Sequence, residues 1–83
     1  MRNLCRAIIW SACFLELSDD EVVDPHSAVK ALEDIATALL QATEEEKQAF
    51  VAACAEEAAD LRARPGYERT AEFVLGLPSA LGL

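Results

Sequence analysis

Aromatic side chains are scarce in this sequence, with one Trp, one Tyr and three Phe among 83 residues. A core must therefore come mainly from Ala, Leu, Val and Ile, which suits helices better than strands. Glycine and proline are equally few, three of each, which excludes a collagen-like or low-complexity chain. Cations are outnumbered: 7 Lys and Arg stand against 15 Asp and Glu, for a net charge of −8. That balance argues against binding a nucleic-acid backbone or an anionic membrane surface, since both reward Lys and Arg. No stretch approaches the ~20 apolar residues of a membrane span, and no strand alternation or internal repeat is visible.

Chemistry-bearing residues are also few. His26 is the only histidine, and Ser27, its neighbour, cannot face it on a helix, so no Ser/His pair is implied. Glycine-rich phosphate loops, nucleophile elbows and zincin motifs are missing. Cys5, Cys13 and Cys54 form no CxxC pair and have no histidine at ligand spacing, so neither zinc nor a disulfide framework is signalled. Cys5 and Cys13, roughly 12 Å apart along a helix, cannot bridge each other. A bond from Cys54 to either one stays open, although reduced, buried thiols in a cytoplasmic protein are the expectation. Arg2 and Arg6 precede a nine-residue apolar run, Ala7 to Leu15, reminiscent of a signal segment. The run is short, Trp10 stands where a lipoprotein signal wants Leu, and Glu16 follows at once, so retention of the N-terminus is expected.

What is present is apolar enough to fold, at 53% hydrophobic residues. The pattern predicts an all-α fold: one domain over 1–83, a compact bundle of about four helices with an apolar C-terminal tail packed back on the core. Residues 3–17 form the first helix, with Leu4, Ile8 and Leu15 on one stripe, Trp10, Phe14 and Leu17 on a second, and small Ala7 and Ser11 between them. Ser18 and Glu21 are spaced as a capping box for an abortive turn. Asp24 as N-cap and Pro25 at N1 start a second helix to about Ala42, with Val29, Leu32, Ile35, Ala36 and Leu39 inward. Thr43 and Glu46 cap a third, whose stripe is Phe50, Val51, Cys54, Ala58 and Leu61 and which stops at Arg64 before Pro65 and Gly66. A short fourth begins at Tyr67, carries Ala71, Val74 and Leu75, and is closed by Gly76, leaving Leu77 to Leu83 as the tail.

Two acidic groups stand out. Glu16, Asp19, Asp20, Glu21 and Asp24 hold five acids without a base, but Val22, Val23 and Pro25 occupy places that a calcium loop needs for ligands and glycine. Glu56, Glu57 and Asp60 are expected on the outer side of the third helix, where Glu56 and Asp60 repel and Arg64 offsets Asp60. Di-metal carboxylate chemistry would need Glu-x-x-His pairs, which do not occur. Tyr67, Arg69 and Phe73 are of types common in binding hot spots, with core anchoring of Tyr67 and Phe73 the plainer reading.

These features imply a protein without catalytic activity, cofactor or metal. The expectation is a small acidic protein-binding module, an inhibitor or immunity-type protein that caps a basic partner protein through Asp19, Asp20, Glu21, Glu56, Glu57 and Asp60. In size, acidity and helix number the chain is similar to the immunity proteins that neutralise colicin-type nucleases. Their tyrosine pair and Asp-Ser-Pro segment have no counterpart, Asp24-Pro25-His26-Ser27 being a different motif, so no site residue carries over. The alternative is a structural or regulatory homodimer formed through the nearly all-round apolar first helix.

Overall fold

Residues 1–83 are described by a computed structural model containing four helices and no strand: α1 (Arg2–Leu17), α2 (Pro25–Leu40), α3 (Glu44–Arg62) and α4 (Glu68–Ala80). Two of the helix starts are set by side chains. Asp24 Oδ2 accepts from the Ser27 amide and hydroxyl, both at 2.9 Å, and Pro25 occupies the first turn, where its missing N–H costs nothing. At α3 the capping box closes in both directions: Thr43 Oγ1 accepts from the Glu46 amide at 3.1 Å, and the Thr43 amide donates to Glu46 Oε1 at 2.8 Å. Glu44, Glu45 and Glu46 then lie at the positive end of the helix dipole. The Ser18–Glu21 capping box does not form. The turn there is closed by the Asp19 carbonyl, which accepts from the Val22 and Val23 amides.

The C-terminus differs from expectation. Gly76 does not close α4, which runs on through Pro78 to Ala80. The apolar segment does pack on the core, but as helix rather than as a tail, with Leu77, Pro78 and Leu81 buried. Gly82, at φ 86°, provides the left-handed stop. Its amide donates to Ser79 O and the Leu83 amide to Pro78 O, the pairing of a Schellman motif. Burial of three apolar side chains on one helical face outweighs the weak helix preference of Gly76 and Pro78.

The bundle measures 36 × 31 × 19 Å, so its short dimension is about two helices thick. Every helix therefore keeps an outer face, and only 17 of 83 residues are buried. The α3–α4 hairpin is the most extensive pairing, α1 lies across it, and α2 rests chiefly on α1. The seam where α1 meets this hairpin is built from small side chains: Cys5, Ala12 and Cys13 from α1, Ala53, Cys54 and Ala58 from α3, and Ala71 from α4, with Ile9, Phe50, Leu61, Val74 and Leu77 filling around them.

That seam corrects the reading of α1. Its buried residues are Cys5, Ile9, Ala12 and Cys13, a stripe between the two expected ones. Small residues let helix axes approach closely, and Trp10, Phe14 and Leu4 are too large for that line of contact. Elsewhere Val29, Val51, Leu75 and Tyr67 are exposed rather than inward, while Phe73 packs half-buried against the core.

Candidate functional site

The two acidic groups have different surroundings. On α3, Glu56 and Glu57 face α1, whose first two turns bring Arg2 and Arg6 alongside. Arg2 Nε lies 3.3 Å from Glu56 Oε2, and Arg6 Nε lies 2.8 Å from Glu57 Oε1. Glu57 is only 5% exposed, which overturns its expected place on the outer, solvated face. A carboxylate at that depth is tolerated because a guanidinium meets it directly. Asp60 lies beyond, in a groove of about 420 Å³ shared with Arg6, Trp10, Glu57 and Arg64. It makes no ion pair with Arg64: the three pairs in the molecule are these two and Lys30 with Asp34.

At the α1–α2 junction the acids remain unpaired. Glu16, Asp19, Asp20 and Glu21 are all exposed and line one open depression. Arg69, at the start of α4, borders the same depression without reaching ion-pair distance of any of them. The stretch thus acquires a neighbouring cation that its own segment lacks, and stays negative on balance. Glu56, Glu57 and Asp60 do not contribute to this depression. The six proposed contact residues therefore form two sites, one already engaged inside the molecule and one open.

The sequence reading missed Arg2 and Arg6 as partners of the α3 acids. Their four-residue spacing was a signal that they share one side of α1, but nothing local says which helix that side meets.

The three cysteines are free and buried at the α1–α3 seam. Burial pushes the Cys54 thiol up to about 12, with Cys5 and Cys13 adding to the effect, and pushes Cys13 up to about 11, with Glu57 contributing. Protonated thiols of this kind are poor nucleophiles. His26 is exposed, the hydroxyl of its neighbour Ser27 donates to Asp24 Oδ2 at 2.9 Å, and no group of three His, Cys, Asp or Glu side chains is placed to hold a metal ion. No helix is long and apolar enough to cross a membrane.

On α1, the surface opposite the seam is apolar and uncovered: Leu4 is 71% exposed, Phe14 55% and Trp10 39%. Comparison of the chain with protein-family models, with curated proteins and with solved structures gives no match.

Proposed function

We propose that this protein is a non-catalytic binding module that docks a basic surface of a partner protein against the α1–α2 junction. The observation that carries this reading is the open cluster of Glu16, Asp19, Asp20 and Glu21, four exposed carboxylates with no cation in ion-pair range. Gathered like charge repels itself within the fold, whereas across an interface it speeds encounter and selects a complementary partner. Glu56, Glu57 and Asp60 take a lesser part, because two of the three are neutralised from α1. An inhibitor or immunity-type protein acting on a basic toxin is the form of module that fits. The free thiols suit a reducing compartment such as the cytoplasm.

The test is capture of partners on immobilised protein at low and high salt, followed by association kinetics with the triple variant D19N/D20N/E21Q. Slower association, with the difference shrinking as salt rises, is the expected result. Equal rates for the variant and the natural chain at low salt would remove the junction as a docking site.

A further inference from the structure

Independently of the basic partner, we propose that α2 is a strap that releases as a unit from a body of three helices, α1, α3 and α4, which stays folded while α2 is open. The buried core is a cluster of 14 side chains, and α2 gives only Leu39 to it. Two of its 16 residues are buried, Ala28 and Leu39, against six of 19 in α3. Its other inward residues, Leu32, Ile35 and Ala36, are only half-buried against the core. The three remaining helices pack on one another in every pairing, whereas α2 rests chiefly on α1.

Polar contacts divide in the same way. Both ion pairs that join helices run between α1 and α3, and the pair on α2, Lys30 with Asp34, lies within it. The side-chain hydrogen bonds of α2 and its cap are likewise internal. Lifting α2 therefore breaks no ion pair and exposes little of the core, and the free energy of a local opening follows the apolar surface it uncovers. Once released, a 16-residue helix without a packed face is marginal in water, so its backbone amides open with it. Its last turn also covers one thiol. Leu39 shares a small apolar cavity of about 160 Å³ with Cys5, Ile8 and Phe50, and neither Cys13 nor Cys54 lines it. Opening of α2 uncovers Cys5 and leaves the other two thiols in the three-helix body. Asp19, Asp20 and Glu21 lie in the connection about which α2 moves.

Hydrogen exchange of the full natural chain tests the strap. Amides of α2 should exchange more than about tenfold faster than those at the centres of α3 and α4, and with a weaker dependence on urea, because their opening exposes less surface. Val74→Ala removes packing inside the three-helix body, and Val74 remains packed when α2 is open. That variant should therefore speed exchange in α3 and α4 several-fold and leave α2 at its natural rate. Brief iodoacetamide treatment of the natural chain, followed by peptide mass mapping, should find Cys5 alkylated ahead of Cys13 and Cys54. Exchange of α2 at the rate and urea dependence of α3, equal acceleration of α2 by Val74→Ala, or alkylation of the three thiols in step would each overturn the proposal.

Discussion

The acids of α3 and the acids of the α1–α2 junction have similar composition and opposite circumstances. Glu56 and Glu57 sit in the middle of a helix, at positions that a neighbouring helix covers, and that helix supplies Arg2 and Arg6. Asp19, Asp20 and Glu21 sit in a turn at one end of the bundle, where nothing crosses over them and only Arg69 stands near. An acidic run in the sequence therefore says little until its position relative to the packed helices is known. Covered acids serve the fold, and uncovered ones are available to something outside it.

Removing Glu57 tests the first half of that contrast most severely. Glu57→Ala leaves Arg6 without its partner and opens a space beside the seam. Because Arg6 is still nearly half exposed, the loss should fall below that of a fully buried pair, at about 2 kcal/mol in urea unfolding. A coupling energy near zero in the Arg6→Ala, Glu57→Ala double-mutant cycle would show that the pair is incidental. The thiols beneath give a second readout. Cys13 and Cys54, held protonated by burial, should label with iodoacetamide at pH 8 only as fast as the native structure opens, and faster in Glu57→Ala. Immediate labelling of the natural chain would mean that the seam is not closed. Their raised pKa values also imply that stability is complete below the ordinary thiol value of 9.0 and declines as pH rises from there through about 11 for Cys13 and about 12 for Cys54, because the unfolded chain ionises first.

Capping carboxylates give a smaller effect with the opposite sign. The Thr43 amide and side chain hold Glu46 below its ordinary value, and the Ser27 amide and hydroxyl do the same for Asp24. A lowered pKa favours the fold above the unfolded-state value and is lost as pH falls through the folded one, so the melting temperature should drop on acidification below about pH 4.5. Thr43→Ala should remove about 1 kcal/mol and flatten the part of that acid dependence due to Glu46. The smallest effect on stability is expected at the junction: D19N/D20N/E21Q should lie within about 0.5 kcal/mol of the natural chain, or slightly above it. A large loss there would show that the open acids are structural after all, and would dissolve the contrast with α3.

Much of the helical layout could be read locally. Asp24-Pro25 and Thr43 with Glu46 mark helix starts because a short oxygen-bearing side chain binds free amides wherever the rest of the chain goes. Phe50, Cys54, Ala58 and Leu61 are legible as an inward stripe because the rest of α3 is mostly alanine and charged side chains, although Val51, expected on the same stripe, is exposed. Where apolar residues surround a helix, periodicity loses its power to choose. On α1 the largest side chains mark two stripes, whereas the packed line between them is Cys5, Ile9, Ala12 and Cys13. At Gly76 the local preference to stop was real, but Leu77, Pro78 and Leu81 gain burial only if the helix continues.

What the amino-acid sequence determined alone was the number of helices, the starts of α2 and α3, the excess of negative charge and the absence of a recognisable catalytic or metal-binding pattern, all matters of residue type and short-range spacing. The tertiary structure decided which side of α1 is core, which acids are answered by arginine, and which apolar side chains are left facing water. Those outcomes depend on how closely two helices can approach and in which direction they run. Such properties belong to pairs of helices brought together in space, and no single segment carries them.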